Sequence, residues 1–159
     1  HACRDLRDQV VSEYFHKFSM MRGSHRPDLD NLPAQDMLKF DNIHKWSSSI
    51  YLAYDAIAWK KSSDCEVVRY EDLIDDAPGE LRRALQKFGL VLDDALARYI
   101  TTKNDFKVMT SGRDRGHADP NSPLRNGVVG DWKNYLSAET ADRIVDHYRY
   151  YYEEFGYAP

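Results

Sequence analysis

Two glycines three residues apart, Gly127 and Gly130, most strongly constrain how this 159-residue chain folds. They lie in residues 124–135, which read LRNGVVGDWKNY, with a cation before the first glycine and Asp-Trp-Lys after the second. Glycine permits backbone angles and close backbone approaches that other residues resist, so we expect a shaped loop here. Bare N–H groups beside an arginine favour anion binding, and a surface turn between two helices is the alternative.

A stretch near the start of the chain also suggests an anion site. Residues 4–18 carry apolar side chains at helical spacing, and Asp5 or Asp8 can cap the helix. An ordinary amphipathic helix explains the apolar side chains. It does not explain Arg4 and Arg7 at the helix N-terminus, where a cation opposes the helix dipole. A bound anion would remove that conflict.

These two stretches resemble motifs of the sulfotransferases that use 3′-phosphoadenosine-5′-phosphosulfate (PAPS). Residues 125–134 match the family's R-x-G-x-x-G-D-W-K-N loop, which closes over the 3′-phosphate of the nucleotide. Asn126 stands where that family usually has lysine. Arg4 and Ser12 fall on the Arg and Ser of the family's R-x-P-R-D-x-x-x-S motif, which also bind this phosphate. The resemblance therefore implies that Arg4, Ser12, Arg125, Asn126 and Gly127 hold the 3′-phosphate.

Two further segments resemble the adenine-binding elements of the same family. Residues 66–70 form a β-rich run, and the Tyr-Glu-Asp-Leu that begins at Tyr70 resembles a strand end whose tyrosine contacts adenine. Residues 104–109 resemble the family's T-S-F-x-x-M motif. Phe106 and Met109 match this motif, and Asn104 stands in place of its threonine. The resemblance implies that these three side chains contact adenine. The alternatives are a solvated strand end and an ordinary core phenylalanine.

The rest of the chain is expected to be mostly helical. The predicted segments are a loop at 23–33, a short helix at 34–40, a long helix at 42–60, a helix that starts within 75–80, a mobile loop at 111–123 and a final helix after Ser137. Within the long helix, Trp46 and Tyr54 are expected to lie in the core.

The resemblance covers nearly the whole chain and implies an α/β fold. The expected architecture is a layered parallel sheet related to that of P-loop kinases, of which this portion is mostly helical with one or two strands. The length suits one domain with a hydrophobic core. Residues 1–159 are therefore expected to form the C-terminal two-thirds of a sulfotransferase domain. The family's P-K-x-G-T-T-W segment is absent from this sequence. We thus expect an upstream P-loop segment to be needed, and the catalytic residues are not identified.

Composition excludes several other functions. The net charge of −4 argues against a general nucleic-acid binder. No apolar run approaches the roughly eighteen residues of a membrane span. The six histidines and two cysteines lack the spacing of a metal site. Cys3 and Cys65 each lie beside a short apolar or strand-like stretch, so they are expected to be free, buried thiols. PAPS, without a metal, is the cofactor that the resemblance implies.

The residues leave the acceptor, the oligomeric state and the compartment open. The resemblance implies transfer of a sulfuryl group to a small-molecule or carbohydrate acceptor that carries a hydroxyl or amine, and the cytoplasm is favoured. Two alternatives stay open at this point. One is a relative of P-loop nucleotide kinases, which would share the fold. The other is a non-catalytic remnant that binds nucleotide or a partner protein.

Overall fold

The computed structural model describes residues 1–20 and 32–158, so most of the loop predicted at 23–33 lies outside the described residues. The helices are α1 (Leu6–Tyr14), α2 (Ala34–Met37), α3 (Phe40–Trp46), α4 (Ser49–Lys60), α5 (Tyr70–Gln86), α6 (Asp94–Lys103), α7 (Phe106–Met109), α8 (Ala138–His147) and α9 (Arg149–Phe155). A π-helical turn, Phe15–Met20, continues α1, and a 3₁₀ helix spans Asp131–Asn134.

Two short parallel strands, β1 (Ala2–Cys3) and β2 (Val68–Arg69), form the sheet of the described chain. The first leads directly to Arg4 and α1, and the second leads directly to Tyr70 and α5. Because the carboxyl ends of parallel strands meet at one edge, both predicted binding residues lie at the same edge of the sheet. The predicted α/β class, mostly helical with one or two parallel strands, is confirmed.

The core lies between α1, α3, α4 and the last two helices. Helix α1 contributes Leu6, Val10 and Val11, each completely buried. Trp46 is buried as predicted, and its indole N–H donates to the carbonyl oxygen of Met37 at 2.9 Å. Both cysteines are free thiols as expected, but only Cys3 is buried, and Cys65 is half-buried. None of the helices within residues 1–20 and 32–158 is both long and apolar enough to cross a membrane.

The single helix predicted at 42–60 is wrong, because α3 ends at Trp46 and α4 begins at Ser49. Ser47 adopts an extended conformation between them (φ −81°, ψ 122°). Its hydroxyl donates to the Glu13 carboxylate at 2.6 Å. The apolar face nevertheless continues across the break, because Ile43, Trp46, Ile50 and Ile57 are all buried. Ala53 takes the buried position in the middle of α4, so Tyr54, predicted to be a core residue, is 58% exposed.

Two other predicted helices are interrupted. The final helix divides at Tyr148, which separates α8 from α9. The helix start predicted within 75–80 lies inside α5, at a kink where Asp76 is non-helical (φ −146°, ψ 72°). Its carboxylate accepts a hydrogen bond from the backbone N–H of Gly79 at 3.0 Å. The sequence signal for a helix start was therefore correct, but helical residues already precede it.

Candidate functional site

A cavity of about 160 Å³ lies where α1, the start of α5 and the loop before Gly127 meet. Seven of the eight binding residues predicted from the sequence line it: Arg4, Ser12, Tyr70, Phe106, Arg125, Asn126 and Gly127. Asn104 lines a larger cavity of about 840 Å³ instead, and that cavity shares Tyr70 and Phe106 with the first. The structure therefore brings together segments that are far apart in the sequence.

Arg4 connects three of these segments. One terminal nitrogen, Nη2, donates to the carbonyl oxygen of Val128 at 2.8 Å and lies 3.6 Å from the Asp8 carboxylate. The guanidinium also lies over the Tyr70 ring, 4.4 Å from its centroid. Such a cation–π contact orients the planar guanidinium. Arg4 thus sits between the start of α5 and the loop that contains the two glycines.

Arg125 approaches the same cavity from the loop. Its Nη2 donates to the Asp131 carboxylate, its Nη1 donates to the Tyr135 hydroxyl at 3.3 Å, and the guanidinium lies 4.4 Å from the centroid of the Phe15 ring. Burial would raise the pKa of Asp131, but hydrogen bonds from Arg125, Asn134 and Asn126 outweigh burial and lower it. The ionised carboxylate therefore fixes Arg125 in place.

The cavity contains buried polar atoms that lack partners. Among the residues described here, five buried side-chain polar atoms have no hydrogen-bond partner, and three of them are Arg4 Nε, Arg125 Nε and Asn126 Oδ1. Such groups are rare in folded proteins and call for a ligand or water. Two of the three are N–H donors on cations, which suits an anion with several oxygens. The residues present therefore fit a phosphate group, such as the 3′-phosphate implied by the resemblance.

Asp8 is a site residue that the sequence reasoning missed. Its side chain is completely buried, and its two oxygens accept hydrogen bonds from the backbone N–H groups of Gly130 (2.6 Å) and Trp132 (2.9 Å). A carboxylate on α1 thus caps the 3₁₀ helix that follows the second glycine. The sequence offered two candidates for the cap of α1, and Asp5 fills that role by accepting from the Arg7 N–H at 2.9 Å. Asp8, the aspartate that does not cap α1, was the sequence feature that could have indicated this role.

The predicted conflict between a cation and the helix dipole is absent at Arg7. Arg7 is paired with Asp5 at 2.7 Å and also donates to the carbonyl oxygen of Ala158 at 3.0 Å. It lies 4.4 Å from the centroid of a Trp132 ring. Arg7 therefore needs no bound anion, whereas Arg4 keeps a buried Nε without a partner.

Gly127 and Phe106 form the closest contact between the loop and the cavity. Gly127 has φ of +69°, and a Cβ atom added there would lie 2.6 Å from two carbon atoms of the Phe106 ring. Both the backbone conformation and the contact therefore require glycine. Phe106 is 6% exposed, which suits the alternative of a core side chain. Phe106 also lines both cavities, which suits contact with a bound base. Its contact with adenine therefore stays a prediction beside the alternative of a core side chain.

Asn104 is placed differently from the other predicted residues. It is the C-cap of α6, is exposed, and donates from its side-chain amide to the carbonyl oxygen of Ile100 at 2.8 Å. Its role toward adenine also stays a prediction. No group of three or more His, Cys, Asp or Glu side chains in the described parts of the chain has the arrangement of a metal site.

Comparisons with known proteins give a consistent result. The sulfotransferase domain family matches residues 1–156. Sulfotransferase 6B1 of Danio rerio is 30% identical over 152 residues, which cover 91% of this chain and 48% of the relative. Sulfotransferase 1E1 of Cavia porcellus is 23% identical over 168 residues, which cover 92% and 52%. The chain spans about half the length of the curated relatives it matches.

Solved structures share the fold. The crystal structure of mouse sulfotransferase SULT7A1 complexed with PAP has a TM-score of 0.66 and 19% identity, and the match covers 98% of this chain and 57% of that chain. Retinol dehydratase in complex with androsterone and inactive cofactor PAP has a TM-score of 0.67 and 19% identity, with 96% and 46% covered.

Proposed function

Because this chain belongs to the sulfotransferase domain family, we propose that it recognises the 3′-phosphate and adenine of PAPS during transfer of a sulfuryl group to a hydroxyl or amine acceptor. The observation that carries this proposal is the meeting of Arg4 and Arg125 at one cavity, each with a buried and unpaired Nε. The relation to SULT7A1 and retinol dehydratase, whose crystal structures contain PAP, supports the same ligand.

The 3′-phosphate is held by the cavity of about 160 Å³. Arg4 and Arg125 donate charged hydrogen bonds to its oxygens, which are stronger than neutral ones. Ser12 adds a hydroxyl. Asn126 stands where the family usually has a lysine, and it adds a neutral donor once its amide turns so that Nδ2, rather than the unpaired Oδ1, faces the phosphate. Gly127 lets the backbone approach, since any side chain there meets the Phe106 ring.

The adenine lies in the neighbouring cavity of about 840 Å³, between Tyr70 and Phe106. Stacking of a base on an aromatic side chain contributes about 1–3 kcal/mol. Asn104 lines the same cavity and supplies a polar edge, provided that its amide exchanges its bond to Ile100 for one to the base. This chain therefore determines which nucleotide binds and how it is oriented.

When bound, PAPS supplies an activated sulfuryl group, and the product is adenosine 3′,5′-bisphosphate. We propose that this chain is the C-terminal portion of a longer sulfotransferase domain, since it spans about half of its relatives. The residues that stabilise charge on the transferred group, and the base that acts on the acceptor, then belong to an upstream P-loop segment. The same short span also favours a second candidate, a nucleotide-binding remnant without catalysis.

Calorimetric titration tests the nucleotide site. The chain is expected to bind adenosine 3′,5′-bisphosphate more tightly than adenosine 5′-phosphate, because only the former carries the 3′-phosphate that the two arginines recognise. Indistinguishable affinities, or no binding of either nucleotide by the intact protein, would refute the proposed site.

A transfer assay separates the enzyme from the remnant. Labelled PAPS is incubated with phenols, sugars and amines, together with either the 159-residue chain or the longest protein that contains it. We expect transfer only by the longer protein, because binding the far end of the nucleotide does not by itself lower the barrier. Turnover by the short chain would contradict this division of roles. Nucleotide binding without turnover by either protein would favour the remnant.

A further inference from the structure

One arginine outside the predicted site organises the segment between α7 and Gly127. Arg113 Nη1 donates to the carbonyl oxygen of His117 at 2.7 Å and to that of Arg125, and its Nη2 donates to the Ser122 hydroxyl at 3.2 Å and to the carbonyl oxygen of Leu124. A planar guanidinium is suited to such a set of acceptors, because its donors have a fixed geometry. The segment lacks regular secondary structure, yet the Arg113 side chain alone joins residues 117, 122, 124 and 125 by hydrogen bonds.

Backbone hydrogen bonds complete the closure. The N–H of Asp119 donates to the carbonyl oxygen of Arg125 at 2.9 Å, and the N–H of Gly116 donates to that of Asn126 at 2.9 Å. Arg113 and Asp119 therefore share one carbonyl, that of Arg125. These hydrogen bonds fix the backbone of Arg125 and Asn126, the two residues of this segment whose carbonyls they use and which line the cavity of about 160 Å³.

Arg113 has no carboxylate partner among the described residues, and its guanidinium carbon lies 5.0 Å from the centroid of the Phe106 ring. Its acceptors are neutral, so its positive charge is not cancelled by an acid. Arg113 does not line the 160 Å³ cavity itself. It therefore acts through the backbone of Leu124 and Arg125 rather than by contact with a ligand there.

Arg115 provides an internal comparison. It also lies near Phe106, at 5.1 Å, but it donates to a single carbonyl, that of Gly127, at 3.0 Å. Its other partner is the Asp105 carboxylate at 3.4 Å, in a pair where both side chains are more than a third exposed. Exposed pairs of this kind contribute little to stability. Two arginines two residues apart thus differ in how strongly they hold the loop.

We propose that Arg113 is a positioning residue for the 3′-phosphate: it holds the backbone so that Arg125 and Asn126 face the phosphate. This inference rests on the proposed function. Without the Arg113 side chain, the carbonyls of His117 and Leu124 must find other donors, and the carbonyl of Arg125 keeps only the Asp119 N–H among its described donors. The loop then loses its fixed shape. The increment in affinity that the 3′-phosphate provides then falls, while recognition of the adenosine 5′-phosphate portion changes little.

The test compares dissociation constants for adenosine 3′,5′-bisphosphate and adenosine 5′-phosphate in the intact protein. Arg113→Ala is expected to reduce the ratio of the two constants by about tenfold, equivalent to roughly one charged hydrogen bond. Arg115→Ala should change the ratio by less than about twofold, as suits an exposed pair. Arg98→Ala is the matched control, because this arginine is 67% exposed and, among the residues that the structure describes, its side chain pairs with Asp94 alone, on its own helix.

The outcomes separate the two proposals. If the unaltered protein shows no preference for the 3′-phosphate, the proposed function fails. If that preference is present and Arg113→Ala retains it, the positioning role is overturned. Equal weakening of both nucleotides overturns it as well. Should Arg113→Ala not fold, Arg113→Lys decides: it keeps the charge without the planar fork, and the ratio must still fall by about threefold.

Discussion

Helix α1 carries two carboxylates, the buried Asp8 and the half-buried Glu13, that hold two different regions of the molecule. Both accept backbone N–H bonds from remote segments, and both lie beside a cation one helical turn away. Asp8 and Glu13 are five residues apart, and each residue turns an α-helix by about 100°. Their side chains therefore leave the helix about 140° apart and reach in different directions. Asp8 holds the glycine loop at the small cavity, and Glu13 holds the start of α4.

The two regions differ in how completely their polar groups are paired. Lys17, the cation beside Glu13, lies 2.7 Å from that carboxylate and donates to the Trp46 carbonyl oxygen at 2.7 Å. Arg4, the cation beside Asp8, lies 3.6 Å from it and keeps a buried Nε without a partner. A fully paired network belongs to the scaffold, whereas unpaired donors mark a place where a ligand binds.

The largest expected effect tests the Asp8 region. Asp8→Ala should lower the free energy of unfolding by about 3–5 kcal/mol, the cost of removing one partner from a buried charge pair. It also leaves the N–H groups of Gly130 and Trp132 without an acceptor. Urea unfolding measures the change. A loss below about 1 kcal/mol would mean that the loop is held by something other than this carboxylate.

The next effect tests the Glu13 region through pH. Burial would raise the pKa of Glu13, but hydrogen bonds from Lys17 and residues 47–49 lower it from 4.5 to about 2. Because the pKa is depressed in the folded state, the carboxylate's stabilisation is complete above about pH 4.5. It is lost as pH falls toward 2. Glu13→Gln should therefore cost on the order of 2 kcal/mol at pH 7, after allowance for solvent screening.

In Glu13→Gln, the loss of stability between pH 4.5 and 2 should be correspondingly smaller, as measured by urea unfolding at each pH. Glu139→Gln is the control, because the Glu139 side chain is 82% exposed. If both variants show the same acid dependence as the unaltered protein, Glu13 is not the group that titrates.

A smaller effect compares the two glycines of the loop. Both have left-handed backbones, with φ of +69° at Gly127 and +79° at Gly130, but a Cβ atom meets Phe106 only at Gly127. Gly130→Ala should cost about 1–2 kcal/mol of stability from the backbone alone. Gly127→Ala should cost more, and it should also weaken nucleotide binding by displacing Phe106. Equal costs in thermal unfolding and equal affinities would show that the contact with Phe106 is unimportant.

The smallest effects come from two serines, one in each region. Ser47→Ala removes a hydroxyl bonded to Glu13, so it should lower stability by about 1 kcal/mol and leave nucleotide binding unchanged. Ser12→Ala removes a hydroxyl that lines the cavity, so it should weaken binding of 3′-phosphorylated nucleotides by about 1 kcal/mol and leave stability unchanged. If Ser47→Ala weakened nucleotide binding and Ser12→Ala lowered stability, then Ser47 would belong to the site and Ser12 to the scaffold, contrary to this assignment.

The sequence predicted which residues meet at the small cavity better than it predicted the helices around it. The glycine loop and the Arg4–Ser12 segment carry residue types with few structural alternatives, and these were found to line one cavity. The helix breaks at Ser47 and Tyr148 depend on partners distant in the sequence, such as the Glu13 carboxylate, so periodicity alone could not locate them. For the same reason periodicity does not indicate the contacts of Asp8 with Gly130 and Trp132, nor those of Arg113 with the backbone of residues 117–125.

The most direct test of the account is the affinity that the 3′-phosphate adds, measured with and without Arg125. Dissociation constants for adenosine 3′,5′-bisphosphate and adenosine 5′-phosphate are compared in the unaltered protein and in Arg125→Ala. The account predicts that the variant loses about 1.5–3 kcal/mol of affinity for the 3′-phosphorylated nucleotide and almost none for the other. Equal losses for both nucleotides, or no loss for either, would contradict the assignment of this cavity to the 3′-phosphate.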